Sequence, residues 1–411
     1  MEHLLFLVHR MPYPPNKGDK IRSFHLLTHL AQRYHVHLGT FVDDPNDWQF
    51  ADTVKKLCRE THFAKLDTRV ARVRSLGALL ANRALSLDYY RDAGLHAWVE
   101  NLLAKIAVSR VLVFSSVMAQ YALDPRLTRR IVDFVDVDSD KWMQYSEQKT
   151  WLLRWLYRRE GRRLLQYERQ IARDFDVSLF VSQSEAALFR RLAPCSAQKI
   201  GFFNNGVDID YFSPAHRFEN PYPQDQAVIV FTGAMDYWPN VDAVQWFARD
   251  IFPLVRARHP DTLFYIVGAK PSAQVRALAD LPGVRITGTV ADIRPYLAHA
   301  RFAVAPLRIA RGIQNKVLEA MAMQIPVLVS PQALEGIDAM PGQELMLAAT
   351  TEAFADAASD LLQTNTSLAA RARVKMETSY CWRNKLAIVD ALLENQLENH
   401  QPDQPVNFTA Q

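Results

Sequence analysis

Three cations and one carboxylate crowd the stretch 308–322: Arg308, Arg311, Lys316 and Glu319. Val317, Leu318, Met321 and Ile325 recur there at helical spacing, between apolar runs at 302–307 and 327–330 that read as buried strands. A helix starting near Gly312 would turn unpaired backbone N–H groups and the positive end of its dipole toward an anion. Lys316 and Glu319, three residues apart, would share one face. They would present a cation for a phosphate beside an acceptor for a sugar hydroxyl. The same spacing also fits a solvated Lys–Glu pair on an ordinary helix.

A second group lies in the first half. Pro12-Tyr-Pro-Pro-Asn-Lys-Gly18-Asp19 makes a Pro-rich turn between a predicted first strand and first helix, where backbone can approach a ligand closely. Asp19 also fits a helix cap at such a turn. Neither G-x-x-x-x-G-K-S/T nor G-x-G-x-x-G occurs anywhere, so kinase, NTPase and classical dehydrogenase readings lose ground. Asp136, Asp138 and Asp140 follow another predicted strand and should stand at the same sheet edge as Gly18, with His9 ending the first strand there. D-x-D spacing can hold a divalent metal against a diphosphate, but Asp174/Asp176 and Asp208/Asp210 repeat it, which weakens the pattern. The favoured reading is a cleft-lining loop with Asp138 or Asp140 facing an acceptor, and no metal. The segment 149–173 is strongly basic with interleaved aromatics, the composition of a helix lying on an anionic lipid surface. Its competitor is a domain helix with arginines in water and Trp151, Trp155 and Tyr167 in the core.

These residues need a scaffold that brings strand ends together. Strand-like runs at 4–9, 36–41, 62–66, 111–116, 131–137 and 177–182 alternate with amphipathic stretches such as 21–33 and 95–107. Ser182 and Glu185 have capping-box spacing ahead of a helix at 186–192. The alternation restarts with strands at 227–232, 263–267, 284–287, 302–307, 327–330 and 345–348, separated by helical stretches at 241–258, 272–281 and 293–299. Gly233, Gly268 and Gly288 close the first three of these strands. The pattern predicts an α/β chain of two doubly wound, Rossmann-like domains with a ligand cleft between their strand C-terminal ends. The expected boundaries are a first domain at 1–213, a linker at 214–226, a second domain at 227–380, a helix at 381–400 packing back toward the first domain, and a flexible tail at 401–411.

With 411 residues, 49% hydrophobic and 22% charged, the chain can build two cores and is not of disordered composition. A net charge of +4 suits an anionic ligand or an acidic membrane surface and is too small to indicate nucleic acid. Cys58, Cys195 and Cys381 are dispersed and odd in number, which argues against a disulfide framework and fits a cytoplasmic compartment. The first residues read as a strand and not as a signal peptide. No apolar run approaches the roughly 18 residues of a membrane span. The expectation is a cytoplasmic protein, either soluble or peripheral at the inner face of the plasma membrane.

Further motifs are Val135-Asp-Val-Asp-Ser-Asp-Lys-Trp142, Asn205-Gly-Val-Asp-Ile-Asp-Tyr-Phe-Ser-Pro214, Phe231-Thr-Gly-Ala-Met-Asp-Tyr-Trp-Pro-Asn-Val-Asp242 and Lys316-Val-Leu-Glu-Ala-Met-Ala322. With them, residues 1–395 resemble the retaining sugar-nucleotide glycosyltransferases of the two-domain GT-B type (glycosyltransferase family 4, group 1). The chain looks closest to the branch associated with exopolysaccharide clusters and the PEP-CTERM/exosortase system. The resemblance implies that Glu319 accepts hydrogen bonds from the nucleotide ribose and that Lys316 contacts the donor phosphate. It also implies that Gly18 nears the diphosphate and acceptor and that Val290 edges the nucleobase. Gly233, Asn240, Arg308, Arg311 and Gly312 complete the expected donor site; Asp19, Asp138 and Asp140 form the acceptor side. Lys316, Glu319 and Asp138 are the expected catalytic set.

The chain also departs from that family. Many members carry a second glutamate eight residues before the helix glutamate, and here that position is Arg311. Where many carry an Arg just after the strand glycine and a Lys farther on, this chain has Ala234 and Pro239-Asn240. The hypothesis is that Arg308 or Arg311 supplies the missing positive charge. The implied enzyme is a hexosyl-type transferase that uses no metal, no other cofactor and no covalent nucleophile. Cations and helix N–H groups hold the departing diphosphate while the acceptor hydroxyl attacks from the same face. Expected partners are a nucleotide-sugar donor, a glycan or polyprenyl-linked acceptor and an anionic membrane surface met through 149–173, with no nucleic acid. The alternatives on this scaffold are a sugar-nucleotide epimerase or hydrolase, and a non-catalytic scaffold that binds a nucleotide sugar.

Overall fold

The computed structural model describes residues 1–394 except Asn16, Gln148, Asp225, Arg311, Asn365 and Thr366. Residue contacts divide the chain into two compact units, Met1–Asn204 together with the described residues from Leu386 onward, and Asn205–Lys385. The first unit is built on strands β1 (Glu2–Val8), β2 (Tyr34–Val42), β3 (Glu60–Lys65), β4 (Arg110–Phe114), β5 (Arg129–Val135), β6 (Val177–Phe180) and β7 (Ile200–Phe202). They form one parallel sheet in the order β3-β2-β1-β4-β5-β6-β7. Leu4, Leu5, Phe6, Leu7 and Val8 are completely buried, because helices cover both faces of a parallel sheet; this is why β1 reads as an unbroken apolar run. The order reverses between β1 and β4, so the chain leaves these two neighbours in opposite directions and opens a crevice at their C-terminal ends.

The second unit repeats the plan with β8 (Val228–Thr232), β9 (Leu263–Val267), β10 (Val284–Gly288), β11 (Phe302–Ala305), β12 (Val327–Val329) and β13 (Met346–Leu347). All pair in parallel, in the order β10-β9-β8-β11-β12-β13. The reversal here is between β8 and β11. The expected alternation, and each expected strand to within a few residues, is present.

Four features differ from the sequence expectations. The stretch 241–258 is divided into helices Trp238–Trp246 and Phe252–Arg258 by a wide turn at Phe247–Ile251; Pro253 has no N–H to continue the ladder. Asp138 and Asp140 do not stand on a loop but in the first turn of a helix, Asp138–Glu147. The helix carrying Lys316 begins at Asn315 and not near Gly312, whose φ of +63° takes the chain through the left-handed region first. Asp19 is not a cap: helix Gly18–Leu30 has Lys17 at its N-cap, and the Asp19 carboxylate is turned to Arg10.

The division after Asn204 also differs from the expected boundary after Ser213 and linker at 214–226. Val207 donates its N–H to the Tyr380 carbonyl at 2.8 Å, and Arg373 donates to the carbonyls of Ile209 and Phe212. Tyr222 is buried, its hydroxyl donating to the Tyr296 carbonyl at 2.5 Å. The last helix, Trp382–Leu393, passes from one unit to the other at Leu386, and Asp390 accepts from His29 at 2.9 Å. The expected tail at 401–411 lies outside the described residues.

Helix Trp151–Asp174 leaves Trp151 81% and Trp155 58% exposed, so these two are not core residues. Its two acids before Asp174 are buried and cap other helices. Glu160 accepts the N–H groups of Leu85 (2.6 Å) and Ser86 (2.9 Å), at the start of Leu85–Tyr89. Glu168 accepts the Ser139 N–H (3.2 Å) and hydroxyl (2.5 Å), at the start of Asp138–Glu147. The long helix thereby fixes where Asp138 stands.

Candidate functional site

In the second unit the site grows from the two glycines that end β8 and β9. Gly233 has φ +154° and Gly268 φ +155°, values that favour glycine. A Cβ on Gly268 would stand 1.7 Å from the Gly233 carbonyl oxygen, so these two turns touch backbone to backbone. A Cβ on Gly233 would meet the Asn240 amide at 2.7 Å and the Lys316 Nζ at 3.2 Å. Asn240, in the first turn of Trp238–Trp246, is held by donating to the Ala234 carbonyl at 2.9 Å, and its amide oxygen accepts from Lys316 Nζ. That ammonium also lies 4.3 Å from the centre of the Phe231 ring.

Lys316 thus has a neutral amide and a ring for partners. Burial pushes its pKa down to about 7, with Glu319 acting in the opposite sense. Glu319, one turn further along the same helix, is pushed up to about 7 by burial, with Lys316 opposing. A phosphate arriving at Nζ would restore the ammonium that burial disfavours. Gly312 stands in open space in the loop before the helix. Val290 follows Gly288 (φ +69°) and packs, half-buried, on the second core. Arg308, expected at the phosphate, is engaged instead by Asp242, with Nε at 2.9 Å and a second nitrogen at 2.5 Å, and lies over Trp246. Arg311 lies outside the described residues.

In the first unit, a pocket of ≈ 280 Å³ opens at the β1/β4 reversal and is lined by His9, Asp19, Tyr90, Ser115, Val135 and Asp138 among others. Its charges are matched internally. Arg10 bridges Asp19 (2.7 Å) and Asp43 (2.9 Å), and His9 Nε2 stands 3.6 Å from Asp19. Burial would raise the Asp19 pKa, but His9 and Arg10 hold it well below the usual carboxylate range. Lys141 spans Asp136 (2.6 Å) and Asp138 (3.3 Å). Burial would lower the Lys141 pKa, yet the two aspartates raise it well above the ordinary value. Asp138 itself is raised by its enclosure, with Lys141 pulling the other way. Asp140, taken with Asp138 as an acceptor contact, accepts from Gln144 and is not among the lining residues. Gly18 is exposed beside Asp19, and a Cβ there would meet nothing within 4 Å. Among the described residues no group of three or more His, Cys, Asp or Glu could hold a metal ion.

Sequence reasoning missed the strained backbone of this pocket. Ser115 (φ +76°) and Val135 (φ +70°) end the adjacent strands β4 and β5, both in a region that costs a non-glycine residue about 1–3 kcal/mol. Val135 is held there by Asp133, which accepts its N–H at 3.1 Å. Asp133 is in turn fixed by the fully buried Arg22 at 2.7 Å, whose guanidinium also lies 3.5 Å from the centre of the Phe203 ring. No local pattern announces this: a β-branched residue after an apolar run signals a strand continuing.

A strand-end glycine packed against a half-buried lysine, with a glutamate one turn on, lies in a segment that matches a family model. Residues 226–364 match the family model described as Glycosyl transferases group 1. No curated protein matches the chain. Among solved structures it is similar to a sucrose-phosphate synthase from Thermosynechococcus elongatus, with 17% identity, TM-score 0.68, and coverage of 96% of this chain and 99% of that one. It is also similar to WaaG, titled as a glycosyltransferase involved in lipopolysaccharide biosynthesis (18%, TM-score 0.63, 95% and 99%). A third is Anabaena Alr3699/HepE in complex with UDP and glucose (14%, TM-score 0.62, 96% and 100%). The shared architecture is the GT-B fold of two parallel-sheet α/β domains.

Proposed function

We propose that this protein is a hexosyl-type glycosyltransferase that moves a sugar from a nucleotide-sugar donor to a glycan or lipid-linked glycan acceptor, with retention of configuration, in exopolysaccharide or cell-surface polysaccharide synthesis. The observation that carries the reading is Lys316. Its Nζ is pressed against Gly233 and, among the described residues, hydrogen-bonds a neutral amide and lies over a ring with no carboxylate at ion-pair distance, one turn from Glu319, inside the segment matching the group 1 model. An anion seated at Nζ and against the bare Gly233 backbone would be the donor diphosphate, and the Glu319 carboxylate would accept from the ribose hydroxyls. As the bond from sugar to phosphate lengthens, Lys316 and the start of helix Asn315–Ala322 would hold the growing negative charge. In this reading no metal and no enzyme nucleophile takes part. The matched charges at Asp19 and Asp138 would orient acceptor hydroxyls, and a polyprenyl-linked acceptor would be met at an anionic membrane surface, which the basic segment 149–173 suits. The UDP and UDP-glucose complexes of Alr3699/HepE support a nucleotide-sugar donor class.

The test is a panel of nucleotide sugars scored by thermal shift, then by nucleotide release with and without glycan acceptors. Acceptor-dependent release with a retained anomeric centre by NMR is expected. Release without acceptor would favour a hydrolase, an altered donor an epimerase, and binding without turnover a non-catalytic scaffold. An inverted product would refute retention.

A further inference from the structure

The first unit exposes large apolar side chains on two neighbouring elements. Val70, Val73, Leu76 and Leu80 recur at helical spacing along the nearly continuous pieces Thr68–Ser75 and Gly77–Leu80, and are 60%, 71%, 52% and 95% exposed. Trp151, Leu152 and Trp155 open the long helix and are 81%, 58% and 58% exposed. Arg159 joins the two elements, donating to the carbonyls of Ala78 at 3.2 Å and Arg83 at 3.1 Å. Leu152 and Trp155 stand at i−7 and i−4 from Arg159 and so share its helix face, the side on which Gly77–Leu80 lies.

Most of the exposed charge around this surface is positive, with Asp67 and Glu147 as exposed acids at its edge. Glu160 and Glu168 are buried beneath other helix starts, which leaves Arg154, Arg158 and Arg162 as the exposed charges of the long helix before its last turns. Arg69 and Arg72 flank the other stripe. Among the described residues none of these five arginines is in an ion pair with a carboxylate. No helix among the described residues is long and apolar enough to cross a membrane.

We propose that the two elements together form an interfacial anchor for an anionic bilayer, the 70–80 stripe entering the surface beside Trp151 and Trp155. This extends the lipid-facing part of the proposed function to a second element and does not depend on sugar transfer. The chemistry commits to lipid: tryptophans settle at headgroup level, aliphatic side chains just below it, and arginines on the phosphates. The core of a protein interface is by contrast depleted of charge.

The test is sedimentation of the full chain with vesicles of phosphatidylcholine, alone or containing phosphatidylglycerol. Binding is expected only with phosphatidylglycerol, and it should weaken in about 0.5 M salt, where screening shortens to a few ångströms. Leu76→Ser with Leu80→Ser should lower binding on the order of tenfold with the melting temperature kept, as should Trp151→Ser with Trp155→Ser. Undiminished binding by the Leu76/Leu80 variant would overturn the second element while leaving the contact through 149–173 intact. Failure of the wild type to bind would refute both. Equal binding to neutral vesicles would refute the role of the arginines. Self-association abolished by the same substitutions would assign the surface to a second copy and overturn the lipid anchor.

Discussion

Lys141 and Lys316 occupy comparable places in the two units and opposite electrostatic states. Each follows the C-terminal end of a parallel strand and lies in the first turns of a helix. Lys141 is claimed by Asp136 and Asp138, which raise its pKa well above the ordinary value. Lys316 has an amide and a ring, and burial lowers it to about 7. A lysine already neutralised by two carboxylates organises its own pocket. One held short of a counter-charge by its surroundings is prepared to receive an anion. Under the proposed function the contrast favours the second unit for the donor diphosphate and leaves to the first a pre-set, polar surface.

The sharpest way to break the contrast is to remove each lysine in turn. Lys316→Met should cut nucleotide release by about 10²- to 10³-fold, the usual worth of a group that stabilises developing charge. Lys141→Met should leave donor affinity unchanged and lower stability, since Asp136 and Asp138 would face each other unpaired. Equal losses of donor affinity in the two variants would end the distinction.

The glycines give the next largest effect. Gly268→Ala must displace the Gly233 carbonyl, which a Cβ would approach to 1.7 Å, and should cost on the order of 2–4 kcal/mol in denaturant melts, with loss of donor binding. Gly18→Ala, with nothing within 4 Å, should change stability by less than about 0.5 kcal/mol. Reduced turnover in that well-folded variant would locate a ligand against Gly18.

Glu168 tests the scaffold of the first unit by pH. Burial raises its pKa to about 8 from an ordinary 4.5, against the pull of the Ser139 hydroxyl. The stability contributed by its neutral form is therefore fully present below pH 4.5 and lost as pH rises from there to about 8. Glu168→Gln keeps the neutral shape at every pH. Its urea midpoint should gain on the wild type across that window and level off above it. A constant difference would show that Glu168 is ionised in the fold.

The smallest effect is expected at Arg308. It is half-exposed and already paired with Asp242, so Arg308→Ala should change donor affinity less than about threefold and stability by less than about 1 kcal/mol. A larger loss of affinity would restore Arg308 as the phosphate cation.

Much of this was legible in the chain itself. The strands are apolar runs bounded by breakers, and their alternation with helical stretches specifies parallel sheets whatever the packing details. Lys316 and Glu319 were legible because helical spacing puts them on one face. Asn240 as the partner of Lys316 was not, since no periodicity links positions 76 apart in sequence. The same holds for Arg22 and Asp133, 111 apart, which fix the strained Val135. Glu160 and Glu168 look from sequence like solvated charges on a basic helix; only the packed fold shows them capping other helices. Asp138 was expected on a loop because its cap, Glu168, lies on a distant segment.

The central claim is that burial lowers Lys316 to about 7, so that at pH 8 it is mostly uncharged with the site empty, and that the donor diphosphate recharges it. Calorimetric titration with a nucleoside diphosphate near pH 8, in buffers of differing ionisation enthalpy, measures this directly. About one pH unit above the pKa of Lys316, with Glu319 already ionised, binding should take up about one proton per site in the wild type and none in Lys316→Met. Binding with no proton uptake, or with the same uptake in the variant, would contradict the account.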